Sequence, residues 1–217
     1  MNKCAVIVSG GTIDSAFALS VLKKLKPEYV IGADKGLSFL HKDQIMPTHI
    51  VGDFDSGDRE VVDYYRNHTS VPIQEFNPIK DATDTEIALR LAIELGAKEI
   101  YLLGATGTRV DHVLGNIQIL KIAHDAGVKA YIVDKYNKIS LIEKELRLKK
   151  EDAFGDYFSV FPLGGEVKNL TIEGAFYPLY NHTLLPYDSL CVSNQIVGEV
   201  KIRFPKGLVV FIESRDK

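Results

Sequence analysis

Thr83-Asp-Thr-Glu-Ile-Ala-Leu-Arg-Leu-Ala-Ile-Glu-Leu-Gly-Ala-Lys-Glu-Ile-Tyr-Leu-Leu103 holds a helix and a strand in succession. Thr83 and Glu86 have the spacing of a capping box, in which each side chain satisfies an N–H group at the helix start. Ile87, Leu91 and Leu95 recur at i, i+4 and i+8, so one stripe of the helix is buried. Gly96 stops the helix. Glu99–Leu103 is then an apolar run of strand length.

The same unit repeats on both sides. Upstream, the strand candidate Cys4–Val8 closes on Ser9-Gly10-Gly11, and a helix over Asp14–Leu25 ends before Pro27. Tyr29–Ala33 is a second strand, followed by Asp34-Lys35-Gly36 and a short helical piece. His49–Val51 is a third, followed by a helix over Asp58–His68 and an extended Val71–Phe76. Downstream, the turn Gly104-Ala-Thr-Gly107 leads into a helix over Asp111–Ala126 and a strand over Lys129–Asp134. Alternation of this kind predicts βαβ units and a mostly parallel sheet with helices on both faces. Ligands of such sheets bind outside the carboxyl ends of the strands.

After Lys135 the pattern changes. Lys138–Ile142, Glu145–Leu148, Phe158–Phe161, Val167–Ile172, Ser189–Val192, Glu199–Phe204 and Leu208–Ile212 are short runs separated by Gly, Pro, Asn or Asp. No helix-length period appears, which predicts a smaller antiparallel β domain, sandwich or barrel. The expected division is 1–134 and 135–217.

Acidic residues mark the turns of the first part. Gly52-Asp53-Phe54-Asp55-Ser56 places two carboxylates in a turn leaving a strand, where they can converge on a hard cation such as Mg²⁺. The same residues suit an ordinary turn with Ser56 capping the next helix. Lys80-Asp81-Ala82-Thr83-Asp84 is a second acidic stretch, and Asp81 and Asp84 also suit a helix N-terminus. If both stretches meet at the sheet edge, their carboxylates repel unless a cation sits among them. Arg109, behind the glycine turn, offers a fork matched to phosphate oxygens, followed by Asp111. His112 and Asn116 lie one helical turn apart and face the same way.

The chain has 217 residues, 46% hydrophobic and 25% charged, enough for one large or two modest domains. A formal charge of −3 argues against a nucleic-acid binder, which needs a basic face. No apolar run approaches the ~20 residues of a membrane-spanning helix, and the apolar N-terminal run is broken too early for a signal peptide. The two cysteines, Cys4 and Cys191, have no metal-ligand spacing and suit reduced thiols of a cytoplasmic protein. No Walker or G-x-G-x-x-G pattern, zinc set or nucleophile triad is present. Acid-plus-arginine chemistry on phosphate remains. Three readings fit it: a phosphotransferase, a Mg²⁺-dependent nucleotide phosphohydrolase, and a non-catalytic nucleotide-binding module.

Taken in order, Gly52-Asp-Phe-Asp-Ser56, Lys80-Asp-Ala-Thr-Asp84, Gly104-Ala-Thr-Gly-Thr-Arg-Val-Asp-His112 and Ser193-Asn194 resemble thiamine pyrophosphokinases, which transfer pyrophosphate from ATP to thiamine. The resemblance spans nearly the whole chain. It implies a Rossmann-like α/β nucleotide-binding domain, a C-terminal β-sandwich that helps bind thiamine, and a homodimer with active sites between subunits. It further implies Asp53, Asp55 and Asp84 as Mg²⁺ ligands, with Asp81 beside them, and a carboxylate so placed, Asp81, is a candidate to accept the hydroxyl proton. By the same resemblance, Arg109 and Asp111 contact the nucleotide or its phosphates and Asp34 falls in the family's Ala-Asp-Gly-Gly turn; Lys80, Thr83, His112 and Asn116 are further candidates on the nucleotide and phosphate side. Ser193 and Asn194 would contact thiamine. Three features depart from the family: Lys35 and Thr108 stand where glycine is common, and there is no tryptophan to stack near thiamine.

Overall fold

A computed structural model of the chain describes residues 3–54, 59–76 and 81–217. The chain divides after Lys135 into two compact units.

The first unit alternates β1 (Cys4–Val8), α1 (Ser15–Leu25), β2 (Tyr29–Ala33), α2 (Gly36–Lys42), β3 (His49–Gly52), α3 (Arg59–His68), β4 (Ile73–Glu75), α4 (Asp84–Glu94), β5 (Glu99–Leu103), α5 (Val110–Asp125) and β6 (Lys129–Val133). Its strands lie in the order β6-β5-β1-β2-β3-β4, and every pairing is parallel. Successive residues of a strand face opposite sides of the sheet. In β1, Val6 and Val8 pack with Ala18 of α1, while Ala5 and Ile7 on the other side are equally sealed from water. Both faces are therefore covered, as an all-parallel sheet requires.

Local chemistry sets the helix ends. The Asp14 carboxylate accepts the Phe17 N–H at 2.9 Å and starts α1. Lys26 in the left-handed region ends it, returning its N–H to the Leu22 carbonyl. At α4 the Thr83 hydroxyl accepts the Glu86 N–H at 3.2 Å. The reciprocal half of the expected capping box is not made: Glu86 Oε1 instead accepts both Arg90 Nε and Nη2, at 2.9 and 2.8 Å. A charged fork one turn away outcompetes a single backbone N–H.

The second unit contains β7 (Asn137–Ile142), β8 (Glu145–Leu148), β9 (Tyr157–Pro162), β10 (Val167–Ala175), β11 (Leu179–Leu184), β12 (Asn194–Arg203) and β13 (Val209–Ser214). The order β11-β10-β12-β9-β13-β7, with β8 also on β12, is antiparallel throughout. β12 pairs with β9 at its start and with β8 and β10 further on. One apolar core, including Phe158, Leu170, Val200 and Phe211, is shared by these strands.

Two expectations fail here. Residues 189–192 form a turn rather than a strand, with the Val192 N–H bonded back to the Ser189 carbonyl at 3.2 Å. Of that run only Cys191 is buried, so its apolar look does not reflect a pleated face. Conversely, β11 was not anticipated, because it exposes Tyr180 and Asn181 at the edge and buries only Leu184.

Candidate active site

From β1 the chain steps outward through β2, β3 and β4. It then returns to lay β5 on the other side of β1. Between β1 and β5 the order reverses, and crevices form at the carboxyl ends of such a pair. A cavity of about 620 Å³ lies there, lined by the turns after β1, β2 and β5 and by the start of α4. Close approach of those turns requires glycine. A Cβ on Gly11 would lie 2.2 Å from the Thr106 carbonyl oxygen, and one on Gly36 would lie 1.9 Å from that of Val8.

Carboxylate oxygens of Asp34, Asp53 and Asp84 come within 4.8 Å of one another. They arrive from the ends of β2 and β3 and from the first turn of α4. Each is half-buried. Burial lifts the Asp34 carboxyl above its ordinary pKa, and the charges of Asp84 and Asp53 push it the same way, against the opposing Lys35 N–H and ammonium. Oxygens facing each other across one Mg²⁺ are about 4 Å apart at its bond lengths of about 2.0–2.1 Å. Adjacent ligands of an octahedral ion lie closer, at about 2.9 Å, so the trio must draw together to share one, and its all-oxygen donors match a hard cation. Asp34, expected on the phosphate side, thus has its carboxylate in the acidic cluster. Asp55 and Lys80 lie outside the described residues. Asp81 is exposed, two residues ahead of the cavity-lining Thr83.

Phe54 explains how the Asp53 turn is aimed, and sequence reasoning missed it. Its backbone is in the left-handed region at φ 49°, and its ring is 5% exposed, packed with Leu37, Ile50, Val62 and Tyr65. The ring sits against Gly52, where a Cβ would meet Cε1 at 2.8 Å. A phenylalanine between two aspartates in a polar turn was the available signal. At Lys35, by contrast, no glycine is needed: φ is −58°, and the left-handed residue is Asp34 at 47°.

The glycine turn after β5 is tied down from several sides. Gly11 N–H reaches the Gly104 carbonyl at 2.8 Å and Thr12 N–H the Thr106 carbonyl at 3.0 Å. The Thr106 hydroxyl donates to Asp134 Oδ2 at 2.9 Å. Asn116 is buried and spends its amide on the Ala105 carbonyl at 2.8 Å, so it shapes the loop that it lines. Arg109 and Asp111 form a two-pronged pair at 3.2 and 2.6 Å, and Asp111 also accepts the His112 N–H. The guanidinium bonds hold the Asp111 carboxyl at a pKa of about 2. Arg109 lines the cavity with 70% of its side chain exposed, so this fork is aimed at the rim. A second groove of about 410 Å³ shares Thr83, His112 and Asn116 with the cavity and runs along α5 past Gly115 and Ile119.

In the second unit, Asn194 is 5% exposed. Its Oδ1 accepts the N–H groups of Tyr177 and Gln195, and its Nδ2 donates to the Tyr177 carbonyl at 2.7 Å. It fastens the 176–178 turn. Ser193 is exposed in the left-handed region at φ 55°, its N–H on the Ser159 hydroxyl. Both cysteines are free thiols pushed up to about 11 by burial, which keeps them protonated and poor nucleophiles.

Comparison with known proteins agrees with this geometry. The family model described as thiamin pyrophosphokinase, catalytic domain, matches residues 22–132, and that for its vitamin B1 binding domain matches residues 143–209. Thiamine pyrophosphokinase of Bacillus subtilis (strain 168) is 33% identical over 188 residues, covering 86% of this chain and 87% of that one. The crystal structure of thiamine pyrophosphokinase from Bacillus subtilis superposes with a TM-score of 0.86 at 31% identity, covering 99% and 100% of the two chains. Thiamin pyrophosphokinase from Candida albicans, 20% identical, shares the fold with a TM-score of 0.81 over 98% of this chain and 89% of that one. The chain belongs to the thiamine pyrophosphokinase family.

Proposed function

We propose that the chain transfers pyrophosphate from ATP to the primary hydroxyl of thiamine, releasing AMP, with the first unit as a Rossmann-like catalytic domain (1–134) and the second as a β-sandwich thiamine-binding domain (135–217). The observation that carries this reading is the convergence of Asp34, Asp53 and Asp84 beside a cavity at the strand-order switch. Mg²⁺ is the cation we assign to Asp53, Asp84 and the neighbouring Asp55, with Asp34 alongside; bound there it would neutralise phosphate charge.

The remaining residues bind and orient. The glycine turn lets backbone come close to the phosphates, and Arg109 offers them the guanidinium N–H groups that its Nε and Nη2 bonds to Asp111 leave over, with Asp111 fixing its direction. Thr83, Lys80, His112 and Asn116 complete the nucleotide side, the last by holding Ala105 in place. Asp81 is assigned to accept the thiamine hydroxyl proton. Ser193 and Asn194 are assigned to thiamine, Asn194 by setting the turn at Tyr177. A homodimer with active sites at the subunit interface is part of the proposal. Its support is apolar surface left to water: Val110 and Leu114 on α5, and Tyr180, Tyr187 and Leu190 in the second unit, each more than half exposed. Among the described residues no helix is long and apolar enough to cross a membrane, and we place the enzyme in the cytoplasm.

An assay of AMP formation from MgATP, with and without thiamine, tests the reading. AMP that appears only with thiamine supports it. Phosphate release indifferent to thiamine points to a hydrolase, and binding without turnover to a non-catalytic module.

A further inference from the structure

At the floor of the cavity, between the aspartate cluster and the glycine turn, two hydroxyls touch. Thr85 Oγ1 donates to Ser9 Oγ at 3.0 Å. Both residues line the cavity, and Ser9 is only 2% exposed. Its backbone is fixed on both sides: the N–H reaches the Leu103 carbonyl at 2.8 Å, and the carbonyl lies against Gly104. Thr85 follows the cluster residue Asp84 in the first turn of α4.

Two hydroxyls carry two protons, and the bond between them uses one. Thr85 spends its proton on Ser9. The Ser9 proton has no protein acceptor among the described residues, although the side chain is shielded from bulk water. A buried donor without an acceptor is costly, so a donor left open toward a cavity marks where an acceptor atom belongs. The carboxylate cluster beside the pair calls for a cation, so an acceptor placed here is an oxygen of a cation-bound anion.

We propose that Ser9 is a phosphate-binding residue of this site, its O–H donating to a phosphoryl oxygen of the magnesium-bound polyphosphate, with Thr85 as the residue that positions it. This rests on the reading of the cavity as a nucleotide site. It concerns the polyphosphate alone, so it can be tested without thiamine.

The experiment is calorimetric titration of the wild type, Ser9→Ala, Ser9→Cys and Thr85→Val with magnesium tripolyphosphate and, separately, with MgATP. Ser9→Ala is expected to weaken both probes by the same factor, about ten-fold, as befits loss of one hydrogen bond to a charged acceptor. Ser9→Cys, near in size but a poor donor, should behave alike. Thr85→Val breaks the same hydroxyl–hydroxyl bond yet leaves the Ser9 O–H in place, so its loss should stay below about three-fold. Equal losses in Ser9→Ala and Thr85→Val would make the pair merely structural and overturn the assignment. Weakening of ATP with unchanged tripolyphosphate would move the contact to the nucleoside, and undiminished affinity in Ser9→Ala would remove it. Thiamine-dependent turnover by the wild type is a separate measurement, so failure of the family reaction and failure of this contact are told apart.

Discussion

Neutralising Asp34 should make the metal-free protein more stable while damaging its response to magnesium. Asp34→Asn keeps the side-chain shape, and asparagine is among the residues that tolerate the left-handed backbone found there at φ 47°. Its carboxylate lies within 4.8 Å of those of Asp53 and Asp84. At that separation each pair repels by about 0.9 kcal/mol at the dielectric of water and by about 3.5 kcal/mol at an effective dielectric of 20. Two neighbours act on Asp34, but the cluster is half-buried and Lys35 offsets part of the repulsion, so about 1–3 kcal/mol is expected on removing the charge. For a chain of this size that is a rise of about 2–10 °C in Tm.

The assay is scanning calorimetry at low salt, first with chelator and then across a magnesium series. Without magnesium the variant should melt above the wild type. With it the wild type should gain about 2.7 kcal/mol at a hundred-fold excess over Kd, and the variant much less. The pH dependence has a definite sign. The folded Asp34 carboxyl lies above its ordinary value, so its charge costs stability above that folded pKa and ceases to as pH falls toward the ordinary aspartate value. The gap between variant and wild type in chelator should therefore be widest near neutrality and close in acid. A variant that melted below the wild type in chelator, with an undiminished magnesium increment, would refute the argument.

Arg109→Ala should let the Asp111 carboxyl climb from about 2 toward the ordinary value near ~3.9, read by NMR titration, and should lower kcat/KM for ATP by about 10–100-fold. In the wild type this pairing is complete above the ordinary carboxylate pKa and is lost only as pH falls through about 2, so the guanidinium stays aimed across the working range. Phe54→Ala removes a 5%-exposed ring and should cost about 3–4 kcal/mol, with a weakened magnesium shift in Tm because the Asp53 turn loses its anchor. Asn194→Ala leaves the Tyr177 N–H and carbonyl without their partner and should cost about 2–4 kcal/mol. Hydrogen exchange should then show the 176–178 turn opening.

The parallel unit was legible because its strands are buried on both faces. Such strands write themselves as unbroken apolar runs like Cys4–Val8, and the helices between them carry clean stripes and end on Gly96 or before Pro27. The convergence of distant acids followed from that layout, since turns at one sheet edge must share a crevice. What stayed hidden is what depends on contacts rather than spacing. Asp34 joins the cluster only because β2 lies next to β3, a matter of strand order. Phe54 belongs to the core through a left-handed backbone that no periodicity announces. At β11 the half-exposed edge carries too little alternation to stand out. At 189–192 the apolar residues are exposed apart from Cys191, so composition imitated a strand.

The placement of β5 also bears on how the chain comes into being. β1 pairs with β2 early in synthesis, but its other edge waits for a strand that matches Cys4 with Glu99. Until residue 103 has left the ribosome, a fully apolar strand presents an open row of N–H and C=O groups, the kind of edge that recruits other chains. Closing it is a long-range, slow event. Because the cavity sits on that seam, a bound ligand touches both sides of the joint that completes β1. A ligand that grips both the turn after β1 and the turn after β5 would staple that long-range joint and favour its closed state.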